Sequence, residues 1–154
     1  MSARLLIADD HEVVRQGIRA ILQARPEWEI CGEAVDGRDA IRLATQMRPD
    51  VVIMDITMPN MSGLEASQEI AKLQLPSRVL IFTMHESKTL GSSVRRACAH
   101  GYVVKSRAAR DLIEALERLL AGGTFFDNAS PSGAKVDDNP NPDFLLRQAL
   151  SFSR

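Results

Sequence analysis

Residues 51–55 read VVIMD, four apolar residues in a row followed by a carboxylate. A strand with one solvent-exposed face alternates apolar and polar residues. An unbroken apolar run therefore predicts a strand that is covered on both faces. Such strands lie in the middle of parallel sheets that carry helices on each side. We therefore predict a central strand at Val51–Met54 with Asp55 at its carboxyl end.

Similar short apolar runs recur on both sides of this stretch, separated by segments with helical periodicity. The other predicted strands are Arg4–Ala8, Glu29–Ala34, Val79–Thr83 and Tyr102–Val104, and the predicted helices are Val13–Ala24, Gly37–Met47, Ser62–Leu73, Lys88–Ala99 and Ala108–Leu120. Repeated βα units of this kind predict an α/β fold with a doubly wound, five-stranded parallel sheet. We expect the strand order 2-1-3-4-5, in which ligands bind beyond the carboxyl ends of strands 1 and 3.

Length and composition indicate one globular domain with a short appendage. The chain has 154 residues, 45% of them hydrophobic, and a formal net charge of -1, so no overall attraction to nucleic acid or anionic membrane is expected. Residues 127–154 are rich in Asp, Asn, Ser and Pro, which predicts a flexible linker or tail after a domain at 1–126. The sequence has neither a signal-peptide pattern nor an apolar run of about 20 residues, which favours a cytoplasmic protein without a membrane span.

Carboxylates follow two of the predicted strands. Asp9 and Asp10 end strand 1 and Asp55 ends strand 3, so the fold should bring all three to one edge of the sheet. Two carboxylates 5 Å apart repel by about 3 kcal/mol at an effective dielectric constant of about 20, which favours a bound cation. Oxygen ligands in an open site point to Mg²⁺ or Mn²⁺. Helix capping by Asp10 or Glu12 is an alternative explanation for those two residues, but it leaves Asp55 unexplained.

Two further polar residues lie at the ends of strands 4 and 5. Strand 4 ends in Thr83 and strand 5 is followed by Lys105, which adds a hydroxyl and an ammonium group to the same edge. A hydroxyl donor and a fixed positive charge beside a metal suit the oxygens of a phosphoryl group, whose charge must be neutralised during transfer. The combination predicts phosphoryl chemistry at this edge.

Taken in chain order, this set of residues resembles the receiver domain of two-component response regulators. The resemblance rests on Asp9, Asp10, Asp55 with the following Pro59 and Gly63, Thr83, Tyr102 and Lys105, and it covers about residues 3–126. It implies the flavodoxin-like receiver fold and a phosphoryl group accepted on Asp55 from a sensor histidine kinase. It also implies that Asp10, Asp55 and the Thr57 carbonyl bind Mg²⁺ directly, with Asp9 acting through water. Thr83 and Lys105 would sense the phosphoryl group, and Thr83 and Tyr102 would form a switch.

Two segments of the sequence resemble one subfamily of these regulators in particular. Residues 101–106 and 121–126 are similar to the NarL/FixJ (LuxR-type) subfamily, which normally continues into a helix-turn-helix domain of about 60 residues. The 28 residues after Phe126 lack that pattern and a Lys/Arg cluster, so this chain as given should not bind DNA specifically. The expected protein is a phosphorylation-dependent switch, able to form a homodimer, and an enzyme only towards its own phosphoryl group. The alternative is the regulatory part of a longer DNA-binding regulator.

Three other classes of protein share features with this sequence but fit it less well. A haloacid-dehalogenase-like phosphatase needs a second Asp two residues after its nucleophile, where this chain has Thr57. A flavodoxin-like flavin carrier would not place Asp9 and Asp10 beside a cofactor phosphate, because like charges repel. A receiver-like domain that only binds partners would not need the complete set of acids with Thr83 and Lys105.

We predict that Cys31 and Cys98 do not form a disulfide within one chain. In the predicted order, strand 2 and strand 5 lie at opposite edges of the sheet, about 19 Å apart, whereas a disulfide requires Cα atoms within about 7 Å. Thiol counting on the monomer under oxidising conditions should find both thiols free. A Cys31–Cys98 bridge located by peptide mapping would contradict the strand order itself.

Overall fold

The computed structural model describes residues 2–126, and the predicted tail at 127–154 lies outside the described residues. Strands and helices alternate throughout this part of the chain. The strands are β1 (Ala3–Ala8), β2 (Trp28–Ala34), β3 (Val51–Asp55), β4 (Arg78–Thr83) and β5 (Gly101–Val104), and the helices are α1 (Glu12–Leu22), α2 (Gly37–Met47), α3 (Gly63–Lys72), α4 (Leu90–Arg96) and α5 (Ala108–Leu120). A single 3-10 turn at Lys105–Arg107 joins β5 to α5.

The five strands form one parallel sheet in the order β2-β1-β3-β4-β5, which confirms the predicted topology. All residues of β3 are buried, as an unbroken apolar run at the sheet centre requires. Cys31 lies in β2, and Cys98 lies just before β5. These two strands form the opposite edges of the sheet, and both cysteines are free thiols. Strand pairing therefore agrees with the separation expected from the sequence.

The sheet has a hydrophobic core on each face, because successive residues of a strand point to opposite sides. One core includes Leu5, Ile53 and Leu80 and is closed by residues of α1 and α5. The other includes Leu6, Met54 and Ile81 and is closed by residues of α2, α3 and α4. The carboxyl ends of the strands, where the polar residues lie, thus emerge from a sheet that is packed on both sides.

Helix α4 is shorter than the sequence pattern predicted. The predicted helix spanned Lys88–Ala99, whereas the observed helix spans only the seven residues Leu90–Arg96. The segment Gly91–Ser93 consists of weak helix formers, and the positive φ of Cys98 (63°) ends the helical path before β5. The approximate bounds predicted for this helix were therefore too wide at both ends, whereas its position in the chain and the shortening expected from Gly91–Ser93 are confirmed.

The start of α3 lies very close to the end of β3, although residues 56–62 separate them in the chain. Ser62 caps α3 through a reciprocal pair of hydrogen bonds with Glu65, and the Gly63 amide donates to the Ile56 carbonyl at 2.8 Å. A Cβ atom at Gly63 would lie 1.9 Å from the Asp55 carbonyl oxygen, which is a severe overlap with backbone. Glycine at this position therefore lets the start of α3 approach the end of β3.

The last described residues run along the free edge of β5. The Tyr102 amide donates to the Phe125 carbonyl at 2.9 Å, and the Phe125 amide donates to the His100 carbonyl at 3.0 Å. These bonds form a one-residue parallel bridge between Gly101 and Phe125. The segment after α5 thus satisfies part of a sheet edge that would otherwise expose unpaired backbone groups. Within residues 2–126, no helix is both long and apolar enough to cross a membrane.

We predict that Gly63→Ala destabilises the fold by about 1–3 kcal/mol or more, because the new methyl group must displace the backbone of Asp55. Gly17→Ala is the matched control, since a Cβ atom at Gly17 in α1 meets nothing within 4 Å. That change should raise stability by about 0.5–1 kcal/mol through helix propensity. Urea unfolding measures both free energies, and equal effects of the two substitutions would contradict the close approach of Gly63 to the Asp55 backbone.

Candidate functional site

Strand register brings the predicted acids of β1 and β3 together. Ala8, the last residue of β1, pairs with Met54 of β3, so Asp9 and Asp55 follow at neighbouring positions on the two strands. Asp9 is 1% exposed and Asp55 is 5% exposed. Carboxylates buried to this extent are strongly disfavoured unless cations or hydrogen-bond donors surround them.

Lys105 supplies the positive charge between these two acids. Its Nζ atom lies 3.0 Å from Asp9 Oδ2 and 3.1 Å from Asp55 Oδ1. The lysine begins the turn after β5, two strands away from β3, and its side chain is only 15% exposed. The structure thus brings together Asp9, Asp55 and Lys105, three of the predicted site residues.

One ammonium group does not neutralise the whole cluster. Burial and the nearby Asp9 carboxylate raise the pKa of Asp55 above its ordinary value, although the Lys105 ammonium opposes this shift. The Asp10 carboxylate adds to the same upward shift of the pKa. An additional cation at the cluster would relieve this repulsion.

The donor atoms at the end of β1 fit a divalent cation. One ligand atom from each of Asp9, Asp10, His11 and Asp55 can be chosen so that all lie within 4.8 Å of one another. Asp10 Oδ1 is buried and accepts no hydrogen bond from the described part of the chain, so it is an unused oxygen donor inside the cluster. Thr57 lies exposed in the loop after β3, and coordination by its carbonyl stays a prediction.

Thr83 and Tyr102 lie on the same face of the sheet. Tyr102 pairs with Ile81 and Val104 pairs with Thr83, so Thr83 and Tyr102 project to one side. Both residues are buried, at 6% and 7% exposure. The role of this pair as a switch stays a prediction, but the shared face is the arrangement that such a role requires.

Two contacts around the site were not predicted from the sequence. Arg15 of α1 donates from Nη1 to the Asp9 carbonyl at 2.7 Å and from Nε to Glu33 Oε1 at 2.8 Å. Burial alone would raise the pKa of Glu33, but Arg19 and Arg15 together hold that pKa below its ordinary value. This pairing fixes the turn after β1, and only the packing of α1 beside β2 reveals it.

The second unpredicted contact lies beside the switch pair. The Tyr102 ring meets the Phe126 ring edge to face, with centroids 6.3 Å apart. The Arg95 guanidinium of α4 lies 3.8 Å from the centroid of the Phe126 ring. Tyr102 is therefore in contact with the segment that leaves α5, which in turn contacts α4.

Comparison with known proteins identifies the family. The family model described as the response regulator receiver domain matches residues 5–117, which is most of the chain. Receiver domains are in general non-enzymatic signal transducers that bind Mg²⁺ at an acidic pocket, and this chain clusters Asp9, Asp10 and Asp55 at the corresponding edge.

Several curated relatives are LuxR-type transcriptional regulators. The chain is 34% identical over 122 residues to the transcriptional regulatory protein DegU of Brevibacillus brevis, covering 79% of this chain and 52% of DegU. It is 36% identical over 118 residues to the response regulator UvrY of Escherichia coli, covering 77% of this chain and 54% of UvrY. The chain thus spans about half the length of these relatives.

The solved structures that are similar to this chain are also response regulators or their receiver domains. A LuxR-family two-component response regulator from Aurantimonas sp. SI85-9A1 is similar with a TM-score of 0.78 and 38% identity, covering 88% of this chain and 94% of that chain. The non-phosphorylated receiver domain of RcsB from Escherichia coli is similar with a TM-score of 0.76 and 27% identity, covering 83% and 100%. The chain belongs to the response regulator receiver domain family of two-component signalling, and its relatives include LuxR-type regulators.

Proposed function

We propose that this chain accepts a phosphoryl group on Asp55 from a sensor histidine kinase, with Mg²⁺ held by Asp10, Asp55 and the Thr57 carbonyl and by Asp9 through water. The observation that carries the proposal is the geometry of Asp55. Its carboxylate is buried at the end of β3, lies 3.1 Å from Lys105 Nζ, and shares a cluster of donor atoms with Asp9 and Asp10. Mn²⁺ has similar ligand preferences and is the alternative ion.

The proposed reaction is a phosphoryl transfer to a carboxylate. An oxygen of Asp55 forms a bond to phosphorus while the bond from phosphorus to the donor nitrogen breaks, and the nitrogen keeps the electron pair. When bound, Mg²⁺ supplies charge neutralisation for the phosphoryl oxygens. The chain acts as an enzyme only in this transfer to itself and in the later hydrolysis of its own acyl phosphate.

Lys105 and Thr83 are the groups proposed to recognise the phosphoryl group. The Lys105 ammonium already lies between Asp9 and Asp55, so it can form an ion pair with a phosphoryl oxygen on Asp55 without a large movement. Thr83 ends the neighbouring strand, and its hydroxyl can donate to a second phosphoryl oxygen. Movement of Thr83 towards the phosphoryl group would open space for the Tyr102 ring on the same face.

The proposed output surface consists of α4, β5 and α5. Tyr102 belongs to β5 and is joined through Phe126 to Arg95 of α4, so a change in the Tyr102 ring acts on this surface directly. We assign residues 1–126 to the receiver domain and residues 127–154 to a linker or tail. The proposed consequence of phosphorylation is a changed tendency to form a homodimer or to bind a partner. The proposed compartment is the cytoplasm, where the kinase presents its phosphoryl group.

A second candidate function is favoured by the length of the relatives. Because this chain spans about half of DegU and UvrY, it can represent the regulatory part of a longer DNA-binding regulator. Sequencing the open reading frame beyond Arg154 distinguishes the two candidates. In either case these 154 residues should not shift a DNA fragment specifically in a mobility assay at low salt, because groove reading requires a positioned helix or ribbon.

We predict that acetyl phosphate with Mg²⁺ adds one phosphoryl group to the chain. Asp55→Asn should abolish the added mass, because the amide is not a nucleophile, whereas Glu69→Gln, which changes an exposed carboxylate on α3, should label normally. Intact-mass measurement with and without a chelator checks this. Labelling of Asp55→Asn, or labelling that a chelator does not diminish, contradicts the assignment.

We predict that beryllofluoride, a phosphoryl mimic, changes self-association and slows amide exchange around residues 101–126. Thr83→Ala should lose most of this response because the hydroxyl that senses the mimic is gone. Thr45→Ala is the matched control, since Thr45 is an exposed residue of α2 whose hydroxyl donates to the Ile41 carbonyl. Sedimentation velocity and hydrogen exchange measure the two effects. An equal response of both variants would exclude Thr83 as part of the switch.

A further inference from the structure

We infer that His11 is an additional metal ligand, which gives the site a preference for nitrogen-binding divalent transition metals over Mg²⁺. The inference rests on the proposed function of the adjacent carboxylates as a divalent cation site. It goes beyond that function because it assigns a nitrogen donor, and hence a metal preference, to a residue that the phosphoryl chemistry does not require.

The first observation is the spacing of the donor atoms. His11 Nδ1 lies 3.2 Å from Asp10 Oδ1 and 3.4 Å from Asp9 Oδ1. Adjacent ligands of an ion with metal–ligand distances of about 2.1 Å are separated by about 3.0 Å in octahedral and about 3.4 Å in tetrahedral geometry. His11 Nδ1 therefore lies from each of these two carboxylate oxygens at the spacing of neighbouring ligands around one ion.

The second observation is that no hydrogen bond to another part of residues 2–126 occupies the imidazole. His11 is the N-cap residue of α1, but its side chain makes no capping hydrogen bond. Asp10 Oδ1 is buried and accepts no hydrogen bond from residues 2–126, although His11 Nδ1 lies only 3.2 Å away. The two atoms thus lie side by side without a hydrogen bond between them, and both can contribute to binding a shared cation.

The third observation concerns how the ring is held and how a metal reaches it. The His11 amide donates to Asp9 Oδ1 at 2.9 Å, and the Asp9 carbonyl is held by Arg15, so the backbone that carries the ring is fixed. The His11 side chain is 67% exposed, which leaves the outer side of the cluster open to solvent. A hydrated ion can therefore reach the cluster from solvent on the His11 side and replace one of its bound waters with the imidazole.

The chemical consequence follows from ligand preference. Mg²⁺ binds oxygen ligands and keeps its waters, so it gains little from an imidazole. Ions such as Co²⁺ and Zn²⁺ bind imidazole well, and their affinity for mixed nitrogen and oxygen sites exceeds that of Mn²⁺. One nitrogen beside the carboxylates is expected to raise the affinity for these ions selectively.

Calorimetric titration of the full chain with Mg²⁺ and with Co²⁺ tests the inference. His11→Ala should weaken Co²⁺ binding by about 10- to 100-fold and Mg²⁺ binding by less than about twofold. His85→Ala, a substitution at an exposed histidine after β4, is the matched control and should leave both affinities unchanged. A Co²⁺ to Mg²⁺ affinity ratio that is the same in His11→Ala and in the unsubstituted chain overturns the inference.

A spectroscopic measurement identifies the ligand directly. Pulsed electron paramagnetic resonance of the bound Mn²⁺ ion should show coupling to an imidazole nitrogen that disappears in His11→Ala and persists in His85→Ala. Coupling that persists in His11→Ala, or is absent from the unsubstituted chain, overturns the inference.

Asp10→Asn distinguishes failure of the His11 inference from failure of the proposed function. If Asp10→Asn weakens Mg²⁺ binding while His11→Ala leaves the Co²⁺ to Mg²⁺ ratio unchanged, only the His11 inference fails. If the unsubstituted chain binds no Mg²⁺, the proposed function fails and the inference fails with it.

Discussion

Two carboxylates are buried side by side at the carboxyl end of this sheet, and one ammonium group lies between them. Asp9 and Asp55 would repel each other strongly without Lys105, because their charges are close together and largely removed from water. Lys105 can reach both only if β5 lies at the correct distance from the centre of the sheet. The electrostatic balance of the site therefore depends on the strand order and register, because these place Lys105 within reach of both acids.

The position of Lys105 also explains how events at the centre of the sheet can reach its edge. Lys105 directly follows β5, and Tyr102 lies on the same short strand. The centre of the sheet is packed on both faces and resists movement. The edge is different, because β5 pairs with a single strand and is completed by the Phe125 bridge. A change in the partners of Lys105 would therefore be accommodated mainly at β5, where Tyr102 and Phe126 connect it to α4.

The acidic cluster has a rigid inner half and an open outer half. Asp9 is held by Lys105 through its carboxylate and by Arg15 through its carbonyl, so its position is determined by the folded chain. Asp10 and His11 lie farther out, where Asp10 Oδ1 accepts no hydrogen bond from any described residue and the imidazole is mostly exposed. This division suits a site that must keep its geometry while ions and phosphodonors exchange from solvent.

The sequence by itself determined the five βα units, the central position of β3 and the residues at the strand ends, whereas the strand order was predicted with the help of known doubly wound folds. These features depend on local patterns: the unbroken apolar run of residues 51–54, the βα alternation, and polar residues placed where each run stops. Only the tertiary structure decided which acids Lys105 contacts, how Arg15 holds the turn after β1, how close His11 Nδ1 lies to Asp10, and that Phe126 packs on Tyr102. It also decided the length of α4, where packing and the turn at Cys98 outweighed a helical pattern weakened by Gly91–Ser93. These distances and ends arise from strand register and helix packing between residues far apart in the chain, and no local pattern encodes them.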